Sequence, residues 1–243
     1  MNSVSVAMAV YNGERFIKEQ IDSILCQLRE KDEIVISYDV SSDNTWKILE
    51  EYHKKDPRIK LYRNEKKGIT NNFNNAIDNC SGDYIFIADQ DDIWHPDKIE
   101  TVLAAFKKTY ADVIVHNVVS IDELKNIISE SAFKIHNIKP GALKNFLKPR
   151  YSGCCTAFRS AFKHKLIPIP EIYAYDHWIG VTGEIFGNLH FIDDILLYHR
   201  IHDRNATPKT KRPLYLIIWC RLLLLINLAV RFLRLNIHGK NLI

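Results

Sequence analysis

The stretch IFIADQDDIWHPDK, residues 85–98, starts as a buried strand and then sets three carboxylates, Asp89, Asp91 and Asp92, within four positions. Such charges repel one another unless something positive sits among them. The apolar run YIFIA (84–88) reads as a strand, and Pro96 suits the start of a helix running to about Lys108. Upstream the same alternation recurs. VSVAMAV (4–10), EIVIS (33–37) and RIKLY (58–62) are apolar runs of strand length. Between them Glu14–Leu28, TWKILEEYHKK (45–55) and ITNNFNNAIDNC (69–80) carry helical spacing, with Phe16, Ile17, Ile21, Ile24, Leu25 and Leu28 on one face of the first. Strands alternating with helices over short connections predict an α/β fold, a mainly parallel sheet covered on both faces.

Open sheets of this kind bind ligands at the carboxyl ends of their strands. The polar segments after strands one, two and four are YNG (11–13), DVSSDN (39–44) and DQDD (89–92), so all three are expected along one edge. Three carboxylates there suit a hard divalent cation, Mg2+ or Mn2+, whose shell phosphate oxygens can complete. The alternative is a solvated acidic turn at the positive end of the next helix.

Beyond Ala111 the pattern is looser. ADVIVHNVVSI (111–121) predicts one or two strands, 141–147 a short helix, and YSGCCTAF (151–158) a strand. YDHWIGVTGEIFG (175–187) predicts a helix closed by Gly187, and LHFIDDILLYHRIH (189–202) a hairpin or pair of strands. This half would wall the other side of the cleft.

At 243 residues the chain can hold one sizeable domain and a small appendage. Five cysteines without metal-type spacing predict buried, reduced thiols of a cytosolic protein. MNSVSVAMAV offers no basic start and no long apolar stretch, so no secretory signal is expected. The net charge of +4 is uneven: from Arg200 onward nine Lys/Arg face one acid, Asp203, whereas the first 199 residues carry 24 basic and 28 acidic groups. An acidic body with a basic tail argues against nucleic acid as a partner and for an anionic membrane surface.

VSVAMAVYNGERFIKEQIDSILCQ (4–27), the aspartate turn at 39–44 and GDYIFIADQDDIWHPDKIE (82–100) together resemble the family 2 glycosyltransferases of GT-A fold. These inverting enzymes move a sugar from a nucleotide diphosphate to an acceptor hydroxyl. The resemblance spans residues 3–207 and is closest to bacterial rhamnosyltransferase-like members of polysaccharide assembly. It implies that Ala9 and Tyr11 contact the nucleotide and that Asp39 reads the base, a carboxylate accepting the imide N–H of uracil or thymine. Asn72 falls where the family often has a polar residue near the nucleotide, although an exposed helical Asn fits equally. Asp89 and Asp91 match the D-x-D pair, with Asp91 on the metal and Asp89 or Gln90 nearer the ribose. One departure is the sequence Tyr38-Asp39-Val40-Ser41, where the family usually has two successive aspartates and then a small residue.

Asp176 falls where the family carries the base that deprotonates the acceptor, with Tyr175, His177, Trp178 and Ile179 able to desolvate it. Its bland role is to cap the helix. YHRIHDRN (198–205) resembles an R-x-H-x-x-N segment of the rhamnosyltransferase-like enzymes. The resemblance implies Arg200 on the diphosphate and His202 on metal or diphosphate; Asp92 is expected to do no more than help start the next helix, and His95, His116 and His199 receive no site role. Cys154 and Cys155 are expected to pack, since an inverting transfer needs no covalent step.

The expected organisation is a nucleotide-sugar-binding half (1–110), an acceptor-binding and catalytic half (111–207) and a basic amphipathic tail (208–243). The activity implied is metal-assisted single displacement from dTDP-rhamnose or a UDP-hexose to a lipid-linked or cell-surface glycan, at the cytoplasmic face of the cell membrane. A sugar-nucleotide pyrophosphorylase fits less well, because YNGER offers one glycine where that class has a glycine-rich basic loop. A silent nucleotide-sugar-binding protein of the same fold is the other alternative. In the tail, thirteen Leu/Ile/Val/Phe between 214 and 233 favour insertion by roughly 6 kcal/mol, which two Arg and one Asn cancel. Asn227, Arg231, Arg234 and His238 share a helical face, so a helix lying in the membrane interface is expected, with packing onto the domain as the alternative.

Overall fold

The computed structural model describes residues 2–171, 174–203, 205 and 213–240. An eight-stranded sheet in the order β3-β2-β1-β4-β7-β6-β8-β5 forms its centre. The elements in chain order are β1 (Val4–Val10), α1 (Ile17–Leu25), β2 (Glu33–Tyr38), α2 (Thr45–Lys55), β3 (Ile59–Arg63), α3 (Ile69–Asp78), β4 (Tyr84–Ala88), β5 (Ile93–Trp94) and α4 (Lys98–Thr109). There follow β6 (Val113–Ile121), α5 (Ala132–His136), α6 (Ala142–Leu147), β7 (Thr156–Arg159), α7 (Lys163–Leu166), α8 (Tyr175–Phe186), β8 (Leu189–Arg200) and α9 (Leu214–Lys240).

β1 to β4 pair in parallel, as the continuous apolar runs predict for strands buried on both faces. Alternation then sorts side chains into two cores: Val4, Val6, Met8, Ile34, Ile36 and Phe86 on one face, Ala7, Val35, Ile85 and Ile87 on the other. α1 seals the first core with Ile17, Ile21 and Ile24, spaced four and three apart. α3 seals the second with Phe73, Ala76 and Ile77. Because β2 lies on one side of β1 and β4 on the other, the chain reverses its order between β1 and β4. The carboxyl ends of these two strands therefore open a crevice.

The second half departs from the sequence expectation in several places. The segment 189–200 is one strand, not a hairpin; it runs parallel to β6, and its far end pairs antiparallel with β5. The Asp193–Asp194 pair sits at an irregularity in the β6–β8 register, where Asn117 Nδ2 donates to Asp193 O and Oδ1. In 151–158 only Thr156–Arg159 is strand, preceded by a 3-10 turn at Gly153–Cys155. All five cysteines are free; Cys26 is exposed and the other four are buried.

α9 also differs from expectation. Cys220, Leu224, Leu228 and Arg231 form a buried stripe. Arg231 donates from Nη1 to the carbonyls of Lys165 (2.9 Å) and Ile167 (2.8 Å) and from Nη2 to that of Pro168 (2.7 Å), with Trp178 beneath it. The residue expected to face headgroups thus satisfies carbonyls at the end of α7. The side chain of His238 and residues 206–212 lie outside the described residues.

Candidate donor and acceptor site

A cleft of about 440 Å³ opens at the carboxyl ends of β1, β2 and β4. Ala9, Tyr11, Asp39, Asn72, Asp89, Gln90, Asp91 and Asp176 all line it, so one edge of the sheet gathers nearly every residue singled out in the sequence.

The end of β1 anchors the nucleotide side. The Val10 carbonyl accepts from Asp39 N (2.9 Å) and from Asn72 Nδ2 (3.1 Å), which ties β2 and α3 to β1. Asn72 is buried rather than an exposed helical residue, and its Oδ1 has no hydrogen-bond partner. Asp39 accepts from Asn64 Nδ2 (2.7 Å) at Oδ1 and from Gly68 N (3.1 Å) at Oδ2. Gly68 holds φ +127°, a conformation side-chain-bearing residues rarely adopt, and this turns its N–H towards Asp39. Val40 is exposed and Tyr38 packs on Trp46 with ring centres 4.8 Å apart, so the departure at 38–40 leaves Asp39 in place. Gln90 exchanges two hydrogen bonds with the Tyr11 backbone, accepting from its N–H (2.9 Å) and donating to its carbonyl (2.8 Å). Its amide is therefore engaged in fixing Tyr11.

Four charged groups crowd the end of β4. Burial, with the charges of Asp92 and Asp91, raises the Asp89 pKa to about 7, although Tyr175 Oη donates to its Oδ1 at 2.9 Å. Asp91 is likewise raised by burial and by Asp92, against the opposing contact of its Oδ2 with His202 Nε2 at 2.8 Å. Asp92 is fully buried. Burial works to raise its pKa, but His199 Nδ1 (2.8 Å) and the Arg200 N–H (3.2 Å) hold it below the ordinary value. Burial opposes the charge on His199, yet Asp92 beside it raises its pKa to about 10. Asp92 and His199, given no site role from the sequence, are thus a buried ion pair inside the cluster. Asp92 Oδ2 remains without a hydrogen-bond partner, and the ligand atoms of Asp92, Cys154 and His199 all lie within 4.8 Å of one another. Asp89 and Asp91 stay raised despite His199 and the buried Lys98, so the positive charge around the cluster does not offset its acids. Carboxylate oxygens and the His202 imidazole at the cleft form a donor set that fits Mn2+ or Mg2+.

Arg200 does not fit its expected place on a diphosphate. It is fully buried over the Phe16 ring, and its guanidinium donates to Glu19, to the Asp91 carbonyl (3.1 Å) and to the Glu123 carbonyl (3.3 Å). Its fork is spent on holding the loop that carries Asp91. His202 does sit at the carboxylates, leaning on Phe16 with ring centres 4.9 Å apart.

Across the cleft stands the first turn of α8. Tyr175 packs on Phe73 and bonds Asp89, joining the two halves of the domain. Gly153 makes room for it, since a Cβ there would lie 2.4 Å from the Tyr175 ring. Asp176 is not the cap residue, a position Ala174 occupies; its Oδ1 accepts the His177 N–H at 2.7 Å. Burial raises its pKa to about 6 against the opposing His177 N–H. Behind the cluster Lys98 is fully buried, its Nζ donating to the Cys154 carbonyl (2.9 Å) above the Trp94 ring, and burial lowers its pKa to about 8.

The sequence reading missed Tyr175 as a ligand of Asp89, Asn64 and Gly68 as holders of Asp39, and the Asp92–His199 pair. Asn64 had a readable signal: it follows β3, whose carboxyl end belongs to the same edge. Lys98 had none.

The sequence profile described as glycosyl transferase family 2 matches residues 5–167. An uncharacterized glycosyltransferase of Rickettsia felis is 29% identical over 218 residues, 85% of this chain and 35% of the relative. A chondroitin synthase of Escherichia coli is 34% identical over 127 residues, 52% of this chain and 18% of the relative. The chain thus spans about a third or less of these relatives. Among solved structures, S. aureus TarS 1-349 in complex with UDP-GlcNAc has a TM-score of 0.73 at 18% identity, covering 95% of this chain and 69% of that one. A mannosyltransferase from Pyrobaculum calidifontis in complex with GDP-Man and Mn2+ has a TM-score of 0.67 at 20% identity, covering 84% and 58%. These likenesses establish the GT-A fold.

Proposed function

This chain belongs to glycosyl transferase family 2, and from that premise we propose that it transfers a sugar from a nucleotide-diphosphate sugar to an acceptor hydroxyl with inversion. The observation that carries the reading is the pairing, across one cleft, of a cation-short carboxylate cluster with a lone desolvated aspartate. The base of the donor lies against Ala9 and Tyr11 and is read by Asp39 and the unpartnered Oδ1 of Asn72. Asp89, held by Tyr175, orients the ribose side. Asp91, with Asp89 and His202, holds Mn2+ or Mg2+, which when bound supplies the charge that offsets the leaving diphosphate.

Asp176 takes the proton from the acceptor hydroxyl as that oxygen bonds the anomeric carbon and the sugar–diphosphate bond breaks on the opposite face. A base with a pKa near 6 is charged at neutral pH, yet holds a proton better than an exposed aspartate. dTDP-rhamnose and a UDP-hexose are the donors proposed, and a lipid-linked or cell-surface polysaccharide the acceptor, at the cytoplasmic face of the membrane. The name of the E. coli relative supports a polysaccharide acceptor, and the donors named with the two solved structures support a nucleotide sugar.

The test is a panel of UDP-, dTDP- and GDP-sugars with Mn2+ or Mg2+, read by thermal shift and by release of nucleoside diphosphate. Stabilisation and turnover with at least one donor is expected. Stabilisation without turnover under any acceptor would instead indicate a silent binding protein.

A further inference from the structure

We propose that the outer face of α9 is a docking surface for an anionic lipid bilayer, occupied while the opposite face of the helix stays packed on the domain. Tyr215, Trp219, Leu222, Ile226, Leu233 and Ile237 are exposed. At 100° per residue they fall within about 60° of arc, opposite the stripe of Cys220, Leu224, Leu228 and Arg231. Together they make a continuous apolar strip about 33 Å long. A strip of that size demands a partner of its own.

Charge selects the partner. From Arg204 to the end the chain carries eight Lys/Arg and no acid, and with Arg231 engaged by the domain's carbonyls seven remain. A second copy of this helix would bring like charge against like charge, whereas anionic headgroups complement it. A spanning helix is disfavoured although Leu214–Ile237 is long and apolar enough for one. Spanning would strip Arg231 from the carbonyls it satisfies and carry it into hydrocarbon. Both faces of α9 are thus largely apolar: the domain covers Cys220, Leu224 and Leu228 and satisfies Arg231, which leaves the outer strip for lipid.

The docking also bears on the acceptor, a deepening that rests on the transferase reading. Arg221 of α9 donates to the Leu147 carbonyl (3.2 Å) and approaches His177 Nδ1 (3.5 Å), the residue after Asp176. The bilayer would therefore lie against the half of the domain that carries the base, where an acceptor glycan on a lipid carrier can enter from the membrane.

The experiment is co-flotation of the full chain with phosphatidylglycerol-rich vesicles and with pure phosphatidylcholine vesicles, for the native protein and for a Trp219→Glu/Ile226→Glu variant. Thermal midpoint and nucleotide binding serve as fold controls. The native protein should float with the anionic vesicles, less so as salt is raised, and the variant should partition at least about tenfold more weakly with both controls unchanged. Equal partition of the two proteins overturns the proposal. So does retention after alkaline carbonate extraction, which means a span, or a native dimer that the variant makes monomeric without any flotation, which means a second copy. Equal transfer to lipid-linked and soluble acceptors overturns the acceptor inference alone. Absence of transfer from every donor refutes the transferase reading and leaves the flotation result standing.

Discussion

Two sets of aspartates face each other across the cleft, and both hold protons more tightly than an exposed carboxylate. Asp89 does so through burial and the charges of Asp92 and Asp91, and Asp91 through burial and the charge of Asp92. Asp176 does so through burial alone. A cation relieves the first condition and has nothing to relieve in the second. The same residue type thus serves two ends: a crowd of carboxylates binds positive charge, and an isolated, desolvated one accepts a proton.

The sharpest break between the two is Asp176→Asn. The amide still accepts the His177 N–H, so the fold is retained, while turnover should fall by about 1,000-fold to 10,000-fold in a nucleotide-release assay. With Mn2+ saturating, so that Asp89 and Asp91 stay charged, kcat/KM of the native protein should drop about tenfold per pH unit below about pH 6, where Asp176 becomes protonated and cannot act as base. A flat profile down to pH 5 would remove Asp176 from that role. Gln90→Ala releases the Tyr11 backbone without touching either carboxylate set, and should weaken donor binding by about fivefold to tenfold, read by calorimetry.

The smallest effect concerns stability. Since the folded pKa of Asp176 lies above its unfolded value, native stability is lost as pH rises from about 4 to about 6. Asp176→Asn escapes that loss and should be about 1–2 kcal/mol more stable than the native protein in urea at pH 8, with no gain at pH 4. Such a gain with loss of turnover is the mark of a group kept for chemistry at the expense of stability.

The donor half was legible in the sequence because burial on both faces forces continuous apolar strands, and helical periodicity fixes which side of each helix is covered. Ala9, Tyr11, Asp39, Asn72, Asp89 and Asp91 then gather by topology. The acceptor half was less legible for local reasons. β5 has two residues, too few for a pattern. In β8 the Asp193–Asp194 pair falls at a register irregularity within one strand, where the Asn117 side chain bonds Asp193. Neighbouring strand residues alternate faces, so sequence alone could not say that His199 would pair with Asp92 or that Arg200 would turn to Glu19 and Phe16. α9 shows the same limit: of the residues the wheel groups together, Arg231 is buried on the domain while Arg234 is exposed, a division the wheel does not make.

The division of labour between the two sets is tested most directly by calorimetry of donor nucleotide with and without Mn2+, on Asp91→Asn and Asp176→Asn side by side. Asp91→Asn should lose the Mn2+-dependent part of the affinity, about 100-fold, while Asp176→Asn binds as the native protein does and fails only in transfer. Equal affinities in the two variants, whether both lost or both kept, would contradict the separation of cation site from base.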